Sequence, residues 1–317
     1  MNTLYIVVPC YNEEEILNDT IKVLDIKINE LINENLISNK SKILFVNDGS
    51  KDNTWQIIED IHNKNKLFQG ISLSRNKGHQ NACLAGLDYA KDYADMMITI
   101  DADLQDDPNT IKDMVLKYLN GADVVYGVRN SRKKDSFFKR FTAESYYKLL
   151  KKMGVEIIFN HADYRLMSKR VVIELLKFED NNLFLRGMVP QIGFKSDEVK
   201  YDRLLRLKGE SKYSLSKMLL LAWNGITSFS VKPLKLILNL GIFMLFISII
   251  CLITFTVLFL TEVLNYNIGS YIIMFMAFFT SIILISLGVV GQYVGKTLQE
   301  VKKRPRYIID KIINDEN

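Results

Sequence analysis

Cysteine is scarce in this sequence of 317 residues, and its placement excludes one common kind of site. The three cysteines, Cys10, Cys83 and Cys251, lie far apart, and no Cys-x-x-Cys pair occurs. We therefore expect no structural zinc site, and the thiols suit a reducing cytoplasmic compartment. No Gly-x-Gly-x-x-Gly follows the first apolar run, so the dinucleotide-binding fingerprint is absent. The N-terminus lacks a basic stretch ahead of a long apolar run, so we expect no signal peptide.

Charge is almost missing from one long part of the chain. Between Lys235 and Glu262 there are 26 uncharged residues, and between Glu262 and Lys296 there are 33. A helix that spans a bilayer needs about 20 apolar residues, so each stretch predicts a transmembrane helix. Basic residues flank the pair on both sides, which predicts that both flanks and both termini are cytoplasmic. We expect a multi-pass protein of the plasma membrane.

The first 126 residues alternate short apolar runs with helical patterns. The runs predict strands at 4–8, 43–46, 70–73, 96–100 and 123–126, and the patterns predict helices at 13–35, 52–63, 80–93 and 108–120. This alternation predicts an α/β fold, a mostly parallel sheet with helices on both faces. Ligands bind such sheets at the carboxyl ends of the strands.

The alternation of strands and helices ends after residue 126. Further along, the pattern of residues 159–186 indicates a mixture of loop and helix. Apolar residues recur at helical spacing from Leu215 to Phe229, which favours an amphipathic helix in the membrane interface. The alternative is a helix that covers a protein core. The resulting domains are a cytoplasmic catalytic domain at 1–213, an interface helix at 214–233, two transmembrane helices at 234–295 and a basic tail at 296–317.

Clustered carboxylates follow the predicted strand at 96–100. Asp101 and Asp103 come directly after it, and Asp106 and Asp107 follow closely. Carboxylates this close repel one another unless a cation or hydrogen bonds compensate. A Mg²⁺ or Mn²⁺ ion shared with a substrate diphosphate compensates well, since hard cations prefer oxygen ligands. The alternative is an acidic cap for the next helix.

Several motifs together resemble those of a known family. They are Pro9, Tyr11-Asn12-Glu13, Asn47-Asp48-Gly49-Ser50, Ser74-Arg75-Asn76, Asp101-Ala102-Asp103-Leu104-Gln105, Gly127-Val128-Arg129, Asp163-Tyr164-Arg165, Leu185-Arg186-Gly187 and Tyr201-x-Arg203-x-x-Arg206 running into Gly209–Tyr213. The sequence resembles the family 2 glycosyltransferases of the GT-A (Rossmann-like) fold. Within them it is similar to the polyprenyl-phosphate branch, that of bactoprenol glucosyltransferase and dolichyl-phosphate mannose synthase. The predicted pair of membrane spans matches the bactoprenol enzymes as well.

The resemblance implies a role for individual residues. It implies nucleotide-sugar binding by Pro9, Tyr11, Glu13, Asp48, Arg75, Asp101 and Gln105. It makes Asp103 the metal ligand, with Asp101 as a second one, and both belong to the catalytic set. It implies that the lipid phosphate is bound by Arg129, Arg203, Arg206 and Lys212. Asp163 is then either the catalytic base or a residue that positions the acceptor or anchors Arg165.

The implied reaction transfers a sugar with inversion from a nucleotide sugar, UDP-glucose or UDP-N-acetylglucosamine, to undecaprenyl phosphate. Its product serves modification of cell-envelope glycans. We also expect a homo-oligomer, and no nucleic-acid partner, because the basic residues form no stripe with interleaved aromatics. One alternative is a non-catalytic membrane protein that binds or moves lipid-linked sugar. Another is a processive polysaccharide synthase, which is disfavoured because neither tryptophan follows an arginine, as its Gln-x-x-Arg-Trp motif requires.

Overall fold

A computed structural model describes residues 1–130, 161–178, 184–204, 268–302 and 304–314, and part of 234–257. Contacts group these residues into two compact units. One unit contains the described residues up to 204 together with 304–314. The other contains those from 234 to 302.

The first unit is built on one eight-stranded sheet. Its strands are β1 (Leu4–Cys10), β2 (Lys42–Asn47), β3 (Phe68–Leu73), β4 (Met96–Thr99), β5 (Val124–Arg129), β6 (His161–Ser168), β7 (Ser196–Tyr201) and β8 (Ile309–Ile313). Its helices are α1 (Leu17–Asn33), α2 (Thr54–Lys64), α3 (His79–Ala90), α4 (Thr110–Leu119), α5 (Lys169–Leu176) and α6 (Leu185–Gln191). Across the sheet the strands follow the order β7-β5-β6-β4-β1-β2-β3-β8.

Six of the eight strands run in the same direction. β1 is parallel to β2 and β4, β2 to β3, and β5 to β7. β6 is antiparallel to both β4 and β5, and β8 is antiparallel to β3. The predicted mostly parallel sheet is therefore confirmed. The two reversed strands bring their amino ends to the edge where the other six strands have their carboxyl ends.

Segment 161–168 corrects one prediction, because it forms β6 where the sequence indicated loop and helix. The strand is buried on both faces, and seven of its eight residues are buried. It nevertheless carries the charged residues Asp163 and Arg165. Charged residues are depleted from strand interiors, so the local pattern concealed the strand.

Helices cover both faces of the sheet, as predicted. On one face, α1 packs Leu24 and Ile28 against Ile6 and Val8 in a single core cluster. On the other face, α3 lies so close that a Cβ at Gly86 would sit 2.4 Å from Cγ1 of Val7. Alternate residues of β1 thus serve opposite faces, which is the pleat of a strand buried on both sides.

The second unit contains a long apolar helix, α7 (Ile268–Val301). Within it, the 21 residues Phe278–Leu298 have a mean hydropathy of 1.7, and none of that stretch is buried inside the protein. By length and composition this is the one helix in the described part of the chain that can cross a membrane. The described positions between 234 and 257 are helical too. The predicted interface helix at 214–233 lies outside the described residues, as do residues 258–267, where the two uncharged stretches meet.

Candidate active site

The loops that follow β1 and β2 are tied to each other by hydrogen bonds. The backbone N–H of Asn12 donates to Oγ of Ser50 at 3.0 Å, and Oδ1 of Asn12 accepts from the N–H of Lys51 at 2.9 Å. The N–H of Glu13 donates to Oγ1 of Thr54 at 2.9 Å. Asn12 has a φ of 53°, a left-handed conformation that asparagine tolerates well. These bonds hold the Tyr11-Asn12-Glu13 segment, predicted to bind the nucleotide sugar, at the sheet edge.

Asp48 is buried, and its carboxylate holds the loop that follows β3. Oδ1 accepts from the N–H of Lys77 at 2.7 Å, and Oδ2 accepts from the N–H of Gly78 at 2.9 Å. Burial raises the pKa of Asp48, and the two N–H groups oppose that rise. The residue lies in the predicted crevice, where the structure shows it organising the loop that carries Arg75.

Gly49 makes a close approach between the β2 and β3 loops possible. Its φ is 64°, and a Cβ there would lie 2.5 Å from the carbonyl carbon of Arg75 and 2.6 Å from the nitrogen of Asn76. Because those neighbours are backbone atoms, they have little freedom to give way. Only glycine combines this φ with this contact, so Gly49 sets the position of Arg75.

The loop after β4, residues 101–107, is called the carboxylate loop and is anchored to α1. Oγ1 of Thr20, on α1, donates to the carbonyl of Ala102 at 2.6 Å. Leu104 is buried and has a φ of 52°, which is rare for a branched residue. Backbone strain of this kind concentrates at functional sites. Asp103 accepts from the N–H of Gln105 through Oδ1 at 3.2 Å, which closes the turn.

Asp101 lies among other carboxylates and beside one imidazole. Its Oδ1 is 3.4 Å from Nε2 of His79, and its side chain is 38% exposed. Desolvation raises the pKa of Asp101 to about 6, with further increases from Asp106, Asp163 and Asp103 and a decrease from His79. This crowding of negative charge is the condition that a divalent cation relieves.

No group of three or more His, Cys, Asp or Glu side chains within the described segments surrounds a common point as a metal cage. That pattern does not conflict with the donor set of the loop. Mg²⁺ usually binds one or two carboxylates and completes its shell with water and substrate phosphates. Asp101 and Asp103 are half-buried on one loop, and they fit such a shared site.

Asp163 is clamped by two arginines at the amino end of β6. Its Oδ1 accepts from Nη2 of Arg165 at 2.7 Å, and its Oδ2 accepts from Nε and Nη2 of Arg186 at 3.1 and 2.8 Å. Burial alone would raise the pKa of Asp163, but the two guanidinium groups hold it well below its ordinary value. Arg165 is buried and also donates to the carbonyl of Leu185 at 3.1 Å. The carboxylate is therefore ionised and engaged on both oxygens.

Arg186 belongs to one of the motifs that carry the family resemblance, but no role was predicted for it. The structure brings it to the site. Its guanidinium is 31% exposed, and it reaches Asp163 from the first turns of α6. The start of α6 is fixed from α3, because Oε1 of Gln80 accepts from the N–H of Leu185 at 2.9 Å. The available signal was the charge of Arg186 in an otherwise apolar segment.

Two of the cations predicted to bind the lipid phosphate reach the carboxylate loop. Arg129, at the end of β5, donates to Oδ1 of the buried Asp106 through Nε at 3.2 Å and Nη2 at 2.8 Å. Arg203, just after β7, donates to Oε1 of Gln105, and the N–H of Leu204 donates to the Gln105 carbonyl at 2.9 Å. The other two, Arg206 and Lys212, lie outside the described residues.

Comparison with known proteins settles the family. The model of the family described as "Glycosyl transferase family 2" matches residues 5–176, which include the loops after β1, β2, β3 and β4. The chain belongs to glycosyl transferase family 2. The predicted resemblance and the enzyme class, a glycosyltransferase, are thereby confirmed.

Relatives of this family 2 glycosyltransferase extend over almost the whole chain. The uncharacterized glycosyltransferase YkoT of Bacillus subtilis is 50% identical over 309 residues, which are 97% of this chain and 91% of that protein. The prophage bactoprenol glucosyl transferase homolog of Escherichia coli is 38% identical over 311 residues, 97% of this chain and 98% of that one. The crystal structure of glucosyl-3-phosphoglycerate synthase from Mycobacterium tuberculosis aligns with a TM-score of 0.46 at 16% identity, covering 71% of this chain and 76% of that one. A superposition that loose has no bearing on the ligands of this chain.

In this glycosyltransferase the described site thus contains three charged groups of residues on one sheet edge. The first is the carboxylate loop with Asp101 and Asp103. The second is the Asp163 clamp, whose main-chain carbonyl accepts from Oγ1 of Thr99 at 2.7 Å. The third is Arg203 on Gln105. Acidic and basic side chains therefore meet at this edge, partly as buried ion pairs such as that of Asp163 with Arg165.

Proposed function

We propose that this glycosyltransferase transfers a sugar from UDP-glucose or UDP-N-acetylglucosamine to undecaprenyl phosphate, with inversion at the anomeric carbon. The observation that supports this most is the contact between Arg203 and Gln105, because it joins a cation for a phosphate to the carboxylate loop. Donor and acceptor phosphates are then held on either side of one loop. The bactoprenol name of the relative that is 38% identical over nearly the full chain supports the same acceptor.

At the donor end, Asp103 and Asp101 would hold Mg²⁺ or Mn²⁺ together with the diphosphate. The pKa of Asp101, which desolvation and the neighbouring carboxylates raise to about 6, supports this, since a divalent cation would stabilise the ionised carboxylate. When bound, the ion would supply positive charge to the departing diphosphate. Gln105 would support that loop, and the Pro9, Tyr11 and Glu13 segment would line the nucleotide side.

At the acceptor end, the lipid phosphate needs cations more than it needs a base. A phosphate monoester has a second pKa of about 6, so it is mostly ionised at neutral pH. Arg203 and Arg129, with Arg206 and Lys212 from the following segment, would bind it. Arginine suits this task because its planar fork matches two phosphate oxygens.

We assign Asp163 the role of a positioning residue. A carboxylate whose pKa lies well below its ordinary value is a weak base, and both oxygens of Asp163 already accept from arginines. It fixes Arg165 and Arg186 at the sheet edge next to Asp101. A phosphate oxygen of the lipid then attacks the anomeric carbon, the bond from that carbon to the diphosphate oxygen breaks, and UDP leaves with the electron pair.

The membrane topology belongs to the same proposal. The apolar helix α7 supplies one span, and the uncharged stretch before Glu262 supplies the other. The basic residues that flank the two stretches support a cytoplasmic location for the first unit. The product would supply a sugar for the cell envelope. The homo-oligomer stays a prediction.

The test is direct transfer by the full chain, purified in detergent with Mn²⁺. Labelled UDP-glucose, UDP-N-acetylglucosamine and GDP-mannose are each supplied with undecaprenyl phosphate, and with undecaprenol as the acceptor lacking phosphate. We expect labelled lipid from one UDP-sugar and only with the phosphate. Asp103→Ala should abolish it, whereas Asp113→Ala, an exposed acid on α4, should not. Folded protein that binds the lipid but releases no UDP would instead identify a non-catalytic lipid binder.

A further inference from the structure

The segment that follows the apolar helix returns to the sheet as its edge strand. β8 pairs with β3 across Gly70–Leu73, which are separated from it by more than 230 residues of sequence. The N–H of Ser74 donates to the carbonyl of Ile308 at 3.0 Å, which extends the pairing toward the Arg75 loop. The hydroxyl of Tyr307 donates to Oδ2 of Asp88 on α3 at 2.7 Å. The segment is therefore an integral part of the first unit.

A β-bulge brings two successive charged residues of β8 to the same pocket. Ser72 lies opposite Lys311, but the next residue of β3, Leu73, lies opposite Ile309. Asp310 is therefore an extra residue on β8. Successive side chains of a regular strand point to opposite faces, whereas a bulge redirects them, commonly beside active sites. As a result, Asp310 and Lys311 both line one pocket.

That pocket lies at the carboxyl ends of β2 and β3 and has a volume of about 280 Å³. Asn47, Ser50, Trp55 and Arg75 line it together with the two residues of β8. Ligands of open α/β sheets bind at this edge. The wall is mostly polar and presents one carboxylate and two cations, so it suits a small polar ring with both donors and acceptors.

We propose that Asp310 and Lys311 recognise the uracil ring of the donor nucleotide. This inference rests on the proposed function, because it extends the donor site from Arg75 toward its nucleoside end. Uracil presents a ring N–H between two carbonyl groups. The Asp310 carboxylate would accept from that N–H, and the Lys311 ammonium would donate to a neighbouring carbonyl. Cytosine has an acceptor nitrogen in place of the N–H, so Asp310 would repel it.

The test measures nucleotide affinity by calorimetry on the full chain, with UDP and CDP in Mn²⁺ and no lipid. Lys311→Met keeps the aliphatic stem and should weaken UDP binding about tenfold, the loss of one charge-assisted hydrogen bond. Asp310→Asn offers an N–H to the cytosine ring nitrogen, so the preference for UDP over CDP should fall about tenfold. Lys64→Met and Asp92→Asn, at positions elsewhere on the unit that are also exposed, are the matched controls.

The outcomes separate this inference from the proposed function. The uracil assignment would be overturned if both β8 variants bound UDP within twofold of the wild-type affinity and Asp310→Asn kept the wild-type preference for UDP over CDP. This holds even if lipid product still forms. Normal UDP binding by the wild type without any lipid product would overturn the proposed acceptor and leave the uracil assignment standing. Melting temperatures of the variants are measured alongside. Because an unfolding defect would lower affinity for both nucleotides equally, a change in the UDP-to-CDP ratio reports recognition itself.

Discussion

Replacing Asp163 by asparagine is the sharpest test of the arginine clamp. The carboxylate accepts three hydrogen bonds from Arg165 and Arg186, and it is 13% exposed while Arg165 is 2% exposed. Removing one charge of a buried pair leaves the other uncompensated and costs about 3–5 kcal/mol. Asparagine retains one acceptor oxygen, so we expect the low end, about 3 kcal/mol. For a unit of this size that corresponds to a fall of about 6–12 °C in melting temperature.

The pH dependence of that loss follows from the pKa of Asp163. The folded-state pKa is depressed, so its contribution to stability is complete above the ordinary value of about 4 and is lost as pH falls through the lower folded value. The difference in melting temperature between wild type and Asp163→Asn should therefore be constant from pH 6 to pH 8. Scanning fluorimetry of the full chain in detergent measures it. A shift below about 2 °C would refute the clamp as a stabilising unit.

The same variant distinguishes a positioning residue from a base. If Asp163 only positions Arg186, the acid limb of the turnover profile reflects the groups that titrate near pH 6, the lipid phosphate and Asp101, and survives in Asp163→Asn at a lower rate. Arg186→Gln should lower turnover as well, and the two changes combined should cost less than the sum of their separate losses. An acid limb that disappears in Asp163→Asn would show that Asp163 is the titrating base.

Three further predictions concern the donor side. Gly49→Ala should weaken UDP binding and lower the melting temperature, because its Cβ would lie 2.5 Å from the Arg75 backbone. Gly121→Ala is the control: its φ is 94°, and a Cβ there would meet only Nζ of Lys195 at an ordinary 3.7 Å, so it has the strain without the clash and should leave UDP affinity unchanged. Asp103→Asn should lower the rate of sugar transfer about a hundredfold or more, and so should removal of divalent metal by EDTA. The check is to add Mn²⁺ back, which should restore activity to the metal-stripped wild type but not to the variant. Because the pKa of Asp101 is raised to about 6, the folded chain takes up a proton there as pH falls below that value. Metal-dependent UDP binding should therefore weaken from pH 7.5 to pH 5.5. Equal UDP affinity at the two pH values would contradict the role of Asp101 as a metal ligand.

The sequence by itself determined the parallel part of the sheet and the loops that matter. The five predicted strands correspond to β1 through β5, and the four predicted helices to α1 through α4, with boundaries that differ by up to four residues. These elements were predictable because their apolar residues repeat at the periods of buried strands and amphipathic helices. The carboxyl-end rule then identified the loops containing Asp48, Arg75 and Asp101 before any coordinates were known.

The tertiary structure alone decided which distant residues meet at those loops. Asp163 and Arg186 pair because β6 runs against β4 and α6 begins beside it, and no local pattern encodes that pairing. Asp310 and Lys311 reach the Arg75 loop only because β8 joins the sheet edge in antiparallel register with a bulge. Both strands carry charged residues, which hide the strand pattern in the sequence. Long-range pairing, and not local propensity, therefore completes the site.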